Sequence, residues 1–452
     1  MHLTKHQAAS NTIQILGLVL SIGSTTLERA GKLSVYDRPN TVVPYSRILS
    51  GCLSCPSLEG LQILTLLSLY SLFDPKGIST SSIVGILTRQ AVTLGLSRKG
   101  SALRTSESQE EELGHRLFWS IFVLDRMLAV SMGHSVGLVD ENMNIPQPAM
   151  TVEEFASSER TQHASLLQLN RHIIQLRQLE YRILASIHTR SHIDISNMSS
   201  ADRVVISRQL RSAVDDWYSL GCLVCLPEAD NIPIHSTITW LNARYYNLLI
   251  LLYYPCHFNS HSNHSSTREL VECTRNYFKY NHILLENRQL PLNYITLNRV
   301  IPACLVLIHC FNASRTREFS AQLELSNCIE VLRAFPKDWQ SAHQTTEVVT
   351  EFLSIVAANE AYHAANLANC TESETASFNI SITTDLQKVA AKMSEIAAKT
   401  LGPSSCYLLL CNWNDSESVS PPLPGTSDMS TENVTERSSG WGPASYYDFG
   451  FV

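Results

Sequence analysis

Apolar positions recur along this chain with the period of a helix. From about residue 44 to 410 nearly every long segment places apolar side chains three and four residues apart, and no stretch shows the regular alternation of a half-buried strand. The run 57–73, SLEGLQILTLLSLYSLF, is apolar almost all round and predicts a helix at the centre of its domain. Asp74-Pro75 and Gly77 end it. The next run, STSSIVGILTRQAVTLGL (79–96), starts from serine and threonine caps and closes near Gly95, so the two make a helical hairpin. Residues 106–132 open with a capping serine and acidic first turns, which suit the positive end of a helix dipole.

The most regular segment is 160–188, where Leu166, Leu169, Ile173, Leu176, Glu180, Ile183 and Ile187 alternate spacings of three and four. Alone, that row would be a coiled-coil seam. A second row, Leu167, Ile174, Tyr181 and Leu184, widens it into the stripe of a core helix, so burial within the domain is favoured and a homodimer seam is the alternative. Further helices are predicted over 201–220, 235–254, 264–285, 294–312, 320–334, 342–367 and 382–400. The expected organisation is all-α: a partly helical segment 1–44, one large helical domain 45–412, and a tail 413–452.

The tail differs in kind. Residues 415–452 carry six acidic side chains against Arg437, a net −5 within a chain total of −7, and are rich in serine, proline and glycine. Such a segment cannot bury enough apolar surface to offset chain entropy, so disorder is expected. Trp441, Tyr446, Tyr447, Asp448 and Phe449 lie together near its end. Acidic-aromatic tails of this kind bind partners on folding, and a plain solvated terminus is the other reading.

Composition supports the helical picture. The chain has 452 residues, 44% of them hydrophobic, and only 18 glycines, too few for a glycine-rich α/β enzyme. A net charge of −7 provides no basic footprint for nucleic acid. The cysteines lie mostly in apolar stretches such as IPACLVLIHC, as reduced core thiols do. No convincing leader is visible, and no apolar stretch reaches the roughly 20 residues that span a bilayer, so an intracellular, soluble protein without a membrane partner is expected.

Three constellations could carry chemistry. Gly133-His134-Ser135-Val136-Gly137 fits G-x-S-x-G, the strand-to-helix elbow of a serine hydrolase. Here a helix leads into it and no helical stripe follows, so a serine esterase trails the other readings. Cys52/Cys55 and Cys222/Cys225 are C-x-x-C pairs, but 166 residues lie between them; they are expected as core thiols rather than zinc ligands. Asp125 shares a helical arc with Phe118, Ile121, Phe122 and Ala129, which places a carboxylate in an apolar face. Such a charge needs partners. The backbone of the Gly133 turn, His134 or Arg89 could supply them, making Asp125 a structural lock; Glu112 and Arg116 stand at the spacing of a helical ion pair.

Taken as a run, SLEGLQILTLLSLY, ILTRQAVTLGLSRKG and SESQEEELGHRLFWSIFVLDRMLAVSMGHSVGLVDENMNIPQP resemble the fungal-specific transcription factor domain, the regulatory middle region of fungal binuclear zinc-cluster activators. Ala91, Leu94, Gly95, Leu96, Arg116, Phe118, Trp119, Leu124, Asp125, Arg126, Gly133 and Pro146 stand where that family has its motif residues, and WLNARYYNLLILLYYPCHF (240–258) is similar to a later family helix. The likeness covers roughly residues 45 to 340. His115, His134 and Ser135 depart from the family pattern of an arginine pair and a Gly-Arg-Pro turn.

The resemblance implies a non-enzymatic nuclear regulator of a metabolic gene cluster, catabolic or secondary-metabolite, acting through transcriptional coactivators. The family's zinc cluster, with six cysteines, is not seen before residue 45. No cofactor is therefore expected within this chain, zinc entering only with a further N-terminal cluster, and DNA is expected to be reached through such a cluster or a partner. A metabolite-binding or scaffolding helical protein is the rival reading.

Overall fold

The computed structural model describes residues 2–34, 43–98, 108–133, 135–140, 143–226, 234–259, 264–314, 322–365 and 372–415. The chain begins with α1 (His2–Arg29), α2 (Tyr45–Ser54), α3 (Leu58–Ser71), α4 (Thr80–Thr93), α5 (Ser108–Met132) and the short α6 (Val152–Ala156). It continues through α7 (Arg160–Ile183), α8 (His192–Ser196), α9 (Ser200–Val224), α10 (Ile238–Tyr253) and α11 (His264–Glu286). The last helices are α12 (Tyr294–Ser314), α13 (Gln322–Arg333), α14 (Gln340–Ala365) and α15 (Glu372–Thr400). Among the described residues there is no strand, only an isolated bridge between Arg98 and Asn144. The all-α expectation is met.

Local chemistry fixes the boundaries. The Ser57 hydroxyl accepts the Gly60 N–H at the start of α3, Ser199 caps α9 and Thr237 caps α10. Thr151 and Glu154 form a reciprocal capping box on α6. Gly95 after α4 and Gly133 after α5 have φ of +72° and +69°, the left-handed exit that glycine permits. Helix α15 begins ten residues before the predicted 382, because 372–381 is polar and shows no apolar period.

Two apolar cores meet along a shared spine. The first packs α1–α5 around Leu61, Leu64, Ile83, Leu87, Phe118 and Phe122, all fully buried. The second joins α7 to α9–α15. Helices α7 and α12 serve both: Ile174 and Ile295 face the first core, while Leu176 and Leu297 face the second. Leu167, Ile174 and Leu184 of the second row are buried along with Leu176, Glu180, Ile183 and Ile187 of the first, as the wide-stripe reading of 160–188 requires, whereas Leu166 at the stripe's start is 41% exposed.

Two expectations are corrected. Residues 1–44 are not a separate segment, since α1 lies on α3 with Leu18 in the first core and Arg29 donates to the carbonyls of Phe73 and Leu292. One α1 stripe supplies that contact. The expectation that no stretch is apolar enough to span a bilayer also fails: Tyr294–Asn312 is 19 residues long with a mean hydropathy of 1.6. It is 83% buried, as the central helix between two cores. The tail residues Trp441, Tyr446, Tyr447, Asp448 and Phe449 lie outside the described residues, as does His134.

Candidate functional site: the α5 lock

Helix α5 is buried on every side from Ile121 to Met132, so each polar group it carries there needs an internal partner. Asp125 is 6% exposed and its carboxylate accepts three hydrogen bonds. The Gly137 N–H donates to Oδ1 at 2.8 Å and to Oδ2 at 3.0 Å, and the Leu138 N–H to Oδ2 at 3.0 Å. Burial raises the Asp125 carboxyl above its ordinary value, and the two backbone N–H groups, then Arg126, offset part of that. Asp125 thereby ties its helix to the loop that follows. Its partners, however, lie four and five residues beyond Gly133, whose own N–H goes to the Ala129 carbonyl, and Arg89 is not among them in the described residues.

Arg126, 1% exposed, ties down the same loop from its other side. Its Nη2 donates to the Leu138 carbonyl at 2.8 Å and to Asp140 Oδ1 at 2.5 Å, and its guanidinium lies 3.9 Å from the Tyr181 ring centre and 4.9 Å from that of Phe122. Adjacent residues of one helix thus hold both polarities of the Leu138 peptide. The loop 137–140 is latched to α5 and, through Tyr181, to α7.

About two turns earlier on α5, Arg116 and Trp119 hold the segment that follows. Arg116 meets Glu112 at 3.0 Å, as the sequence spacing predicts, but its main partner is Glu154, gripped at 2.8 and 2.6 Å by the two terminal nitrogens. Arg116 also donates to the Ala149 carbonyl at 2.6 Å, and the Trp119 indole N–H to the Pro146 carbonyl at 2.8 Å. Phe118 is fully buried against Trp119, edge to face at 5.7 Å.

Arg116 pulls Glu154 from 4.5 to about 2, its hydrogen bond being the main cause. Because the folded value is the lower one, the stabilisation is complete above about 4.5 and is lost as pH falls toward about 2. The stability difference between wild type and Glu154→Gln should therefore shrink across that window. A difference that stays flat with pH would mean that Arg116 does not set the Glu154 proton affinity.

The G-x-S-x-G match has a packing explanation. A Cβ on Gly133 would sit 2.2 Å from the Ser404 carbonyl carbon, and one on Gly137 would sit 2.7 Å from Thr88 Oγ1. Both glycines let backbone pass close to a neighbour, and the Gly137 N–H is already committed to Asp125. Ser135 between them is exposed, with helix α5 leading in, and among the described residues no strand enters the motif and no helix directly follows it.

The cysteine pairs are only partly as expected. Cys52 is buried and its thiol is pushed up to about 11 by burial, but Cys55 and Cys222 are exposed and Cys225 is half-buried. The leucines beside them, Leu53, Leu223 and Leu226, are themselves exposed, so adjacency to leucine did not mark a buried face. Among the described residues no group of three or more His, Cys, Asp or Glu side chains is placed to hold a metal ion.

The sequence reading missed two features. Gly402, whose Cβ would lie 2.2 Å from the Met132 carbonyl oxygen, is the counterpart of Gly133 across a contact between chain ends of α5 and α15. Its only signal was the pair Gly402-Pro403 after a helix. The other is a buried set of charges around Glu180, signalled by an acid standing in an apolar stripe.

The described residues thus form an all-helical body whose loops are latched to a buried central helix by charged hydrogen bonds. Residues 2–219, just under half of the chain, match the family model of the fungal specific transcription factor domain. The chain is 29% identical over 351 residues to Protein STB5 of Saccharomyces cerevisiae, covering 73% of this chain and 46% of that protein. It is 30% identical over 210 residues to the negative regulator of pleiotropic drug resistance STB5 of Candida glabrata, covering 45% and 20%. A third relative, the uncharacterized transcriptional regulatory protein C530.05 of Schizosaccharomyces pombe, is 26% identical over 197 residues, covering 42% and 24%. The chain thus spans less than half the length of these curated relatives. No solved structure matches.

Proposed function

We propose that this chain is the regulatory body of a fungal transcription regulator that acts in the nucleus. The observation that carries this reading is the match of residues 2–219 to the fungal specific transcription factor domain, which includes every motif residue of α5 described above. The relatives' names, a negative regulator and a transcriptional regulatory protein among them, support a regulatory rather than a catalytic role. The resemblance carries the finer reading: control of a catabolic or secondary-metabolite gene cluster, with coactivators as partners and the acidic-aromatic residues Trp441 to Phe449 as an activation segment.

DNA is reached, in this reading, through a zinc cluster elsewhere in the protein or through a partner. The charge supports that division of labour, since 34 basic against 41 acidic residues leave little to neutralise phosphates. Tethering the 452 residues to an unrelated DNA-binding domain should change a reporter's output several-fold, and Gly133→Ala should remove the change. A nuclear, well-expressed fusion that leaves the reporter untouched would refute the regulatory reading.

A further inference from the structure

Where α7, α10 and α12 converge, the second core holds more positive charge than its described residues can balance. Arg177 and Glu180 of α7, Arg244 of α10 and Arg299 of α12 share one interior site: the first three are 3–6% exposed, and the Arg299 side chain is 11% exposed. Glu180 receives Arg177 Nη1 at 2.5 Å and Arg299 Nη2 at 3.5 Å. Three guanidinium groups thus face one carboxylate, a surplus of two positive charges among the described residues.

The surplus cannot be relieved by proton loss. Guanidinium groups stay charged in proteins, so an unpaired buried one needs either water or an anion. Burial and mutual repulsion do act on the group: Arg299 is drawn down to about 9, still protonated at neutral pH, and Arg244 is lowered in the same direction. His235, buried beside them, is lowered to about 3 and stays neutral. Glu180, which burial alone would raise, is held low by the arginines and stays ionised. Even so, Arg177 Nε and Arg244 Nε and Nη1 are buried with no hydrogen-bond partner.

These arginines and His235 line a cavity of about 40 Å³. That is room for a group of about three water-sized centres, the scale of a carboxylate. Arg177 and His235 also line a second cavity, of about 310 Å³, on the other side of which stand Trp119, Val123 and Met127 of α5. A charged niche and an apolar chamber therefore share a wall.

We propose that the two cavities form one site for a small amphipathic acid: a carboxylate held by Arg177, Arg244 and Arg299, with its apolar body against Trp119, Val123 and Met127. Guanidinium forks match a carboxylate in shape and charge, and the ligand would supply the missing counterion. It would also touch α5, the helix that carries the 137–140 latch, which couples the site to the motif helix. Binding stands apart from the transcriptional reading; only the further step, that occupancy alters reporter output, rests on it.

The test uses the whole purified 452-residue chain, with octanoate, octan-1-ol and inorganic phosphate as probes, followed by calorimetry and thermal unfolding. Octanoate should bind saturably and raise Tm, and octanol and phosphate should each bind at least tenfold more weakly. Arg244→Met should lose at least tenfold in octanoate affinity while melting no lower than wild type without ligand, because it removes an unbalanced buried charge. Val123→Phe, which fills the apolar chamber away from the charges, should weaken octanoate as well and serves if Arg244→Met does not fold.

Three results would overturn the proposal. One is no saturable octanoate response in the wild-type chain. Another is octanol or phosphate binding as tightly as octanoate, which would remove one half of the amphipathic requirement. The third concerns Glu228 and Asp230, outside the described residues but close in sequence to His235: if Glu228→Gln/Asp230→Asn binds octanoate and wild type does not, the chain's own acids fill the niche.

Discussion

Replacing Gly133 by alanine should be the most damaging single change near the motif helix, with a loss above about 4 kcal/mol or outright undocking of the chain after α15. Two costs add. The residue sits at φ +69°, where an L side chain costs about 1–2 kcal/mol. Its new Cβ would also fall 2.2–2.3 Å from three backbone atoms of Ser404 and Ser405, which cannot swing aside as a side-chain tip can. The turn must move, and with it Leu401, Cys406 and Tyr407, which are 3–7% exposed in the second core. Gly402→Ala should behave alike, because its Cβ would meet the Met132 carbonyl oxygen at 2.2 Å from the other side. Protease cleavage within 401–411 and a lowered Tm would register both. Wild-type melting of Gly133→Ala would mean that the two turns are not packed as described.

Asp125→Ala should cost about 2–4 kcal/mol, because it strands the Gly137 and Leu138 N–H groups without acceptors and removes one of the two negative charges near Arg126, which keeps Asp140. Asp125→Asn, with a single carbonyl acceptor, should recover part of the loss. Urea unfolding is the measurement, and a midpoint equal to wild type would sink the lock. Since the folded-state carboxyl is raised, its ionisation opposes folding, and the wild type should gain stability relative to Asp125→Asn as pH falls through the carboxylate range. The two substitutions act on opposite ends of the same contact system: Asp125 holds the loop to α5, and Gly133 lets the end of α15 reach it.

These effects differ in how far they could be read from sequence. The Asp125 contact was partly legible because the carboxylate, its helical arc and its loop lie within residues 118–138, so period and turn chemistry narrow the partners to a short stretch. Even there the sequence pointed to the Gly133 turn, His134 or Arg89, whereas Gly137 and Leu138 are the donors, since turn geometry decides which N–H points inward. The Glu112–Arg116 pair was likewise local, whereas Arg116's stronger grip on Glu154 spans 38 residues and needed the loop to fold back.

The sequence by itself determined the all-α class, the places of most helices to within a few residues, the start of α15 excepted, and the motif helix, because 3.6-residue apolar periods, serine and threonine caps and glycine exits are written within single segments. Tertiary structure decided what meets what. It put α1 on α3, turned an apolar span at 294–312 into the helix between two cores, set Gly133 against Ser404, and gathered Arg177, Arg244 and Arg299 around Glu180 from three helices spread over 122 residues. A helix's period shows which face is buried but not which helix will cover it. That choice is made when several faces compete for one interior, so a charge in an apolar stripe gains its meaning only from the residues that arrive opposite it.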